Sequence, residues 1–479
     1  MKIIHISAEC YPAAKAGGLA DVVGALPKYL NRNGHESSVI IPKYKTDWLN
    51  RQKTKTVFKS EGPFGNGKFK FSVEKVLDHE LGFSLYLVNI PGKFDREGIY
   101  IDPWSGYAFW DEMERFFSFQ ISALEWIVQQ KELPEVVHCH DHHTGLIPFM
   151  MSKCFRYDKL HETPSVLTIH NGEYQGRFDL YHYNKLPAFN LEEIGFLDWG
   201  GSLNALAAGI KCAWKVTTVS EGYLNELMEF CHGLEILLQH EKEKAVGLIN
   251  GIDVELWDPA TDPYLEKNYT FRNRISGKKK NKEYLCKEFS LELSKPLFSF
   301  IGRLVREKGA DLLPELIREV RKQGLEMNIM VLGTGEPELH RIFKQLSGKF
   351  IGYFDARLEY NERLAHNIYA GSDFLLMPSR VEPCGLNQMY AMRYGTVPVV
   401  RATGGLADTV VDISEKGGYG FLFEEFSLDD AMAVVTRAVD FYEKQDKFKE
   451  NLKLLMKLDF SWDQASINYI EMYEQLNKD

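Results

Sequence analysis

Short apolar runs rich in Val and Ile recur along the chain, and between them apolar residues return at helical spacing. In the first half the runs are Lys2–Ser7, Ser38–Ile41, Phe83–Asn89, Glu135–His138, Ser165–His170 and Lys215–Val219. Strands that read as nearly continuous apolar stretches are buried on both faces, which is the signature of a parallel sheet covered by crossover helices. Between the first two runs, Leu19, Val22, Val23, Leu26, Tyr29 and Leu30 line one helical face, and Gly34 stands where a C-terminal cap belongs. The sequence therefore predicts an α/β fold of the doubly wound, Rossmann-like type.

A second series of runs comprises Leu297–Ile301, Met327–Leu332, Phe350–Tyr353, Phe374–Met377 and Val397–Val400. Helices are expected over Leu312–Arg321 and up to Tyr442, the latter with Ser427 as N-cap. The basic stretch Tyr269–Lys287, with Gly277-Lys278-Lys279-Lys280-Asn281-Lys282, reads as a solvated linker. The expected organisation is a domain over residues 1–253, a second over 254–458, and a tail over 459–479 whose helix runs Gln464–Leu476. A length of 479 residues accommodates two such units.

Charge and cysteine usage narrow the function classes. The 57 Lys+Arg and 67 Asp+Glu leave a net charge of −10, the wrong sign for a protein whose main partner is a nucleic-acid backbone or an anionic membrane. Seven scattered cysteines without a C-x-x-C pair argue for a reducing compartment, and no apolar run approaches the roughly 18 residues of a membrane span. The expectation is a cytoplasmic protein.

Seven segments carry candidate chemistry. Gly17-Gly18-Leu19-Ala20-Asp21 and Gly404-Gly405-Leu406-Ala407-Asp408 echo each other, each at the expected start of a helix, where glycines admit a ligand to free N–H groups. Lys15 before the first pair offers a point charge, and Asp21 can accept bonds from hydroxyls. His138-Cys139-His140-Asp141-His142-His143 could share a face as metal ligands, but no Asp or Glu completes the set in sequence, and polar residues collect at strand ends in such folds. No metal is expected. His170 also stands at a strand end, and Asn250-Gly251 by itself is a tight turn. Arg303 and Lys308 lie between a strand and a helix, where they can clamp a diphosphate. Glu382 follows another strand; it suits sugar hydroxyls, and the amides of Cys384, Gly385 and Leu386 suit a phosphate or a sugar ring.

Taken together and in this order, these segments resemble the bacterial glycogen synthases and plant starch synthases. The residues that carry the resemblance are Lys15–Asp21, His140–Leu146, Thr168–Gly176, Leu248–Asp253, Gly302–Gly309, Pro378–Leu386 and Thr403–Thr409. It implies two facing Rossmann domains of the GT-B type with a cleft, no metal ion, a nucleotide-sugar donor, and an α-1,4-glucan acceptor. Glucose would pass from ADP-glucose to the non-reducing end of the glucan with retention. The implied roles are donor phosphate or nearby cleft for Lys15 and Gly18, nucleotide ribose or sugar for Asp21, and the 6-hydroxyl of the transferred glucose for His170. Asp141 and Asn250 would lie near the reacting centre, Arg303 and Lys308 on the diphosphate, and Glu382 on sugar hydroxyls. Thr403, Gly404 and Gly405 belong to the donor set, with the backbone after Gly404 at the distal phosphate. A tyrosine expected to stack on the base is Tyr360 by ungapped match, with Tyr353 as the alternative.

The chain departs from the family pattern at His142, where an aromatic residue is usual, and at Gly172-Glu173, where Leu-Ala is usual. The resemblance favours attack on the same face that the diphosphate leaves, with the diphosphate helping to deprotonate the acceptor. The tail residues Phe460 and Trp462 are expected to anchor a helix that moves with the first domain. A nicotinamide dehydrogenase is disfavoured because Gly333-Thr334-Gly335-Glu336-Pro337 lacks the third glycine of its fingerprint. A non-catalytic glucan-binding protein on the same fold is the remaining alternative.

Overall fold

The computed structural model of the chain describes residues 1–476; residues 477–479, the end of the expected tail, lie outside the described residues. The chain divides into two compact units. The first comprises Met1–Val219, Leu224–Leu248 and the chain from Ala465 onward, and the second Ser220–Tyr223 with Ile249–Gln464.

The first unit is built on a nine-stranded sheet. Its central strand, Lys2–Ile6, pairs in parallel with Glu36–Pro42 on one side and Val136–His140 on the other. Beyond Val136–His140 lie Ser165–Ile169, Lys215–Thr218 and Ala245–Gly247; beyond Glu36–Pro42 lie Ser84–Asn89, Gly67–Val76 and Thr54–Phe64. The helix Gly18–Arg32 buries Leu19, Val22, Val23, Leu26 and Leu30, and Gly34 follows it with φ +86°. The hairpin Thr54–Phe64/Gly67–Val76 adds two antiparallel strands at the edge. The tail helix Trp462–Leu476 starts earlier than expected, and its Tyr473 hydroxyl bonds His138 Nδ1 at 2.6 Å.

The second unit carries a six-stranded parallel sheet in the order Phe354–Arg357, Asn328–Leu332, Leu297–Ile301, Phe374–Met377, Val397–Arg401 and Phe421–Phe423. Two sequence expectations fail here. The run Phe350–Tyr353 is a turn: Phe350 closes the helix Pro337–Lys349 by donating its amide to Leu346, and Gly352 has φ +86°. The strand begins one residue later, at Phe354.

The basic stretch is likewise not a linker but the core of a helix, Arg274–Glu288. Its Lys278 Nζ is buried and donates to Thr396 Oγ1 (2.8 Å) and to the carbonyls of Ala370 (3.1 Å) and Tyr394 (3.3 Å). These carbonyls, at or just beyond the ends of the helices Glu362–Gly371 and Asn387–Arg393, otherwise lack partners within their helices. Burial pushes the Lys278 ammonium down to about 7. Lys282 meets Asp373 at 2.7 Å, and Gly277 is required because a side chain there would run into the Tyr269 ring.

In each sheet the chain winds outward in both directions from a central strand, Lys2–Ile6 in one and Leu297–Ile301 in the other. Ligands of open α/β sheets bind beyond the carboxyl ends of the strands at such a switch point. The loops that follow Ile6, His140 and Ile169 in the first unit, and Ile301 and Met377 in the second, stand at these ends. Among the described residues no helix is long and apolar enough to cross a membrane.

Candidate active-site residues

In the first unit, Asp141 immediately follows the strand Val136–His140 with φ +58° and ψ −177°. For a residue with a Cβ this conformation costs roughly 1–3 kcal/mol and persists only where surroundings impose it. Here the Asp141 amide donates to the Thr168 carbonyl (2.9 Å), while its Oδ1 accepts from the amides of His170 (2.7 Å) and Asn171 (3.4 Å). The strained residue thereby ties two neighbouring strand ends together. The residue is 9% exposed. Burial raises its pKa to about 7 despite the two amide bonds, with the Glu9 charge adding to the rise.

The histidines assemble behind it. His5 Nδ1 lies 3.1 Å from His140 Nε2, and His140 Nδ1 lies 3.1 Å from His170 Nε2. His138 spends both nitrogens, Nδ1 on Tyr473 and Nε2 on Thr168 Oγ1 (2.6 Å). Burial holds His5 and His170 down to about 3, and His138 and His140 far below the usual imidazole range. His5, His138 and His140 cluster closely enough to suggest a metal site. An ion there would have to displace hydrogen bonds that already occupy every one of those nitrogens except His5 Nε2.

A second cluster supplies the carboxylate that the sequence lacks: Glu112 Oε1 lies 3.8 Å from His142 Nε2, with His143 adjacent. The His142 and His143 rings are tilted by 36° to each other, centroids 3.7 Å apart. His143 is packed between Tyr100 and Phe116. Position 142 carries an imidazole that packs over Gly176, where a Cβ would stand 2.9 Å from its ring. Gly172 is explained similarly, since a side chain would meet Leu227 and Cys231.

The glycine loop after the central strand differs from expectation. Gly17 is the N-cap of the helix that Gly18 opens, and space around both would admit a ligand. The amides of Ala16 and Gly17 are already donated to Glu9 Oε2, and Tyr100 donates its hydroxyl to Glu9 Oε1 (2.7 Å). Glu9 is a buried carboxylate that the sequence reading missed. A phosphate at these amides would have to displace it. Lys15 and Asp21 form an ion pair at 2.7 Å.

In the second unit Lys308 and Glu382 come together at the switch point. Lys308 Nζ donates to Glu382 Oε1 (2.7 Å), and Ser379 donates to Oε2 (2.8 Å). Glu382 is 8% exposed. Gly309, with φ +67°, makes this possible: a Cβ there would sit 1.9 Å from the Pro378 carbonyl, so glycine brings the loop after Ile301 against the loop after Met377. Arg303 stays 63% exposed and pairs with Glu307 at 3.1 Å.

Gly404 and Gly405 serve a close approach of chain to chain. A Cβ on either would strike the backbone of Glu382 or Cys384 within 2.2 Å, and the Gly405 amide donates to the Glu382 carbonyl at 3.0 Å. That amide is therefore spent within the protein and is not open to the distal phosphate. The helix Gly404–Thr409 has six residues, and Thr403 Oγ1 donates to the Arg380 carbonyl. Gly385 has φ +71° before the helix Asn387–Arg393, with Leu386 as that helix's N-cap.

Asn250 belongs to this unit, hydrogen-bonded to Cys384, whose thiol burial pushes up to about 12. Its Oδ1 is buried without a protein partner. Gly251 beside it is required because Trp462 passes directly over it, with Ile252 and Ser461 bridged in parallel. Of the two candidate tyrosines, Tyr353 has its ring taken up by Arg321 (3.5 Å) and Lys295 (4.3 Å), whereas Tyr360 is 82% exposed.

Residues 2–240 match the family described as starch synthase catalytic domain, and residues 266–454 match glycosyl transferases group 1. The chain is 48% identical over 474 residues to the glycogen synthase of Flavobacterium johnsoniae, covering 99% of this chain and 98% of that one. It is 35% identical to the glycogen synthase of Geobacillus stearothermophilus, covering 100% and 98%. Among solved structures, the catalytic domain of starch synthase IV from Arabidopsis thaliana, bound to ADP and acarbose, is similar with a TM-score of 0.87 at 31% identity, covering 100% of this chain and 99% of that one. Sucrose-phosphate synthase from Thermosynechococcus elongatus shares the fold, with a TM-score of 0.60 at 14% identity.

Proposed function

Since the chain belongs to the glycogen and starch synthase family of glycosyltransferases, we propose that it transfers glucose from ADP-glucose to the non-reducing end of an α-1,4-glucan, with retention of configuration. The observation that carries the reading is the Lys308–Glu382–Ser379 cluster. It holds an ammonium beside a nearly buried carboxylate at a switch point, where a nucleotide diphosphate binds in folds of this kind. Glu382 takes one Lys308 proton and leaves two for phosphate oxygens. Support for adenine comes from the Arabidopsis relative, which is bound to ADP.

In this reading Lys308 and Arg303 neutralise the charge that grows on the departing diphosphate, the kind of stabilisation that is worth most when it is preorganised. Glu382 and the 384–386 backbone meet the donor sugar, with Thr403 to Gly405 shaping that pocket and Tyr360 lying under the base. Asn250 offers its unpartnered Oδ1 to a hydroxyl. His170 holds the 6-hydroxyl of the transferred glucose, and the Asp141 carboxylate stabilises positive charge that develops at the anomeric carbon. The diphosphate accepts the proton of the attacking glucan hydroxyl on the face it leaves. Glu9, Lys15 and Asp21 shape the loop after the first central strand rather than binding phosphate directly.

The two cations do the work that a divalent ion does in many nucleotide-sugar enzymes, so the reaction needs no metal. Two measurements on the wild-type enzyme test this. kcat/KM should be higher for ADP-glucose than for UDP-glucose, and the reverse order overturns the donor assignment. Exhaustive chelation should leave the rate unchanged; a loss restored by a divalent ion overturns the metal-free reading.

A further inference from the structure

The chain of imidazoles behind the candidate site has only two self-consistent arrangements of hydrogens. His5, His140 and His170 are bonded in series through His5 Nδ1–His140 Nε2 and His140 Nδ1–His170 Nε2, each 3.1 Å. His5 and His140 are fully buried. All three are neutral, because burial lowers each far below neutrality. A neutral imidazole carries one N–H, so each ring donates on one side and accepts on the other.

Either every ring donates from Nδ1 toward His170, leaving His170 with an Nδ1–H beyond the series, or every ring donates from Nε2 toward His5, leaving His5 with an Nε2–H. The far end decides between them. His5 Nε2 is buried without a hydrogen-bond partner. An N–H at that position would be an orphaned donor, a rarer defect in folded proteins than an unused lone pair.

We propose that His5 and His140 are positioning residues that lock His170 into its Nδ1–H tautomer, so that His170 presents a hydrogen-bond donor, and not an acceptor, to the donor sugar. The selectivity follows from the chemistry. An Nδ1–H rewards a ligand oxygen that can accept, such as a glucosyl hydroxyl, and cannot accept from a cationic or N–H group. Parallel strand register sets the series: His5 stands level with His138, and His140 level with Thr168. The sugar contact of His170 is the reading given above, on which this inference rests.

Histidine-selective 15N labelling reports the tautomers directly, with signals assigned through single-histidine variants. The expected result is Nδ1–H for His5, His140 and His170; a hydrogen on Nε2 of His170 overturns the proposal. A pair of variants separates positioning from packing. His5→Asn keeps a donor close to where Nδ1 stands, whereas His5→Leu keeps apolar bulk and loses it. His5→Asn should retain kcat within a few-fold, and His5→Leu should lose ~10-fold in kcat, the scale for removing a group that orients an active-site histidine. The thermal midpoint of His5→Leu should be no lower than that of His5→Asn. Equal activity of the two variants means that His5 only packs, and the proposal fails. If His170→Ala retains full activity, the sugar-contact reading is wrong, while the tautomer measurement still decides the series.

Discussion

Lys308→Ala is expected to lower kcat by roughly 10²–10³-fold, the range for removing one preorganised stabiliser of developing charge, and to weaken ADP measurably. The structure links this residue to Glu382 by a 2.7 Å ion pair, so the two positions do not act independently. Glu382→Gln removes the main counter-charge of the ammonium and leaves Glu307 at 3.9 Å. It should therefore also depress kcat, through the sugar, but bind ADP at least as tightly as wild type, because one negative charge beside the diphosphate is gone. A calorimetric titration with ADP tells the two apart. If Glu382→Gln weakens ADP as much as Lys308→Ala does, the carboxylate organises the nucleotide pocket and its assignment to the sugar is wrong.

The second large effect belongs to Asp141→Asn, which keeps the shape and the acceptor for the His170 and Asn171 amides. Loss of the negative charge should lower kcat by ~10²–10³-fold. Stability should move the other way. The carboxyl is raised from 3.8 to about 7 by burial, so the folded state holds its proton more tightly than the unfolded chain does. Folding stability contributed by this group is then complete below about pH 4 and is lost as pH rises toward 7. At pH 8 the variant should be a few kcal/mol more stable than wild type, and the gap should shrink toward pH 5. Wild-type activity should rise through about pH 7 as Asp141 ionises. Melting curves of both proteins at pH 5 and pH 8 check the stability claim, and a gap that is the same at both values contradicts it.

The parts of the fold that were legible in sequence are those where burial is two-sided. Runs such as Ile3-Ile4-His5-Ile6 and Asn328–Leu332 can only be central strands, and the helix faces of Leu19 to Leu30 follow from spacing alone. The edge hairpin Thr54–Phe64/Gly67–Val76 was not legible, because one half-exposed face interleaves Lys and Glu with apolar residues and gives no continuous run. Lys278 and Lys282 misled for a related reason: a run of lysines reads as solvated unless one knows that carbonyls at helix ends and Asp373 await them. At the candidate site, glycine loops and strand-end residues were visible as motifs, but their partners were not. Glu9 is a lone carboxylate with no motif of its own, and His5 and His170 stand 165 positions apart in a numbering that only parallel register folds together. The echo of Gly17-Gly18 in Gly404-Gly405 was real in sequence yet unequal in structure. The first pair has open space around it, and the second is pressed against Glu382 and Cys384.

The central claim, glucosyl transfer from ADP-glucose to a glucan, is tested most directly by following label from ADP-[14C]glucose into glycogen and digesting the product with β-amylase. Label that enters the polymer and is released as maltose shows transfer to non-reducing ends through α-1,4 bonds, and this is the result predicted. Label that remains in the donor, or appears only as free glucose, contradicts it.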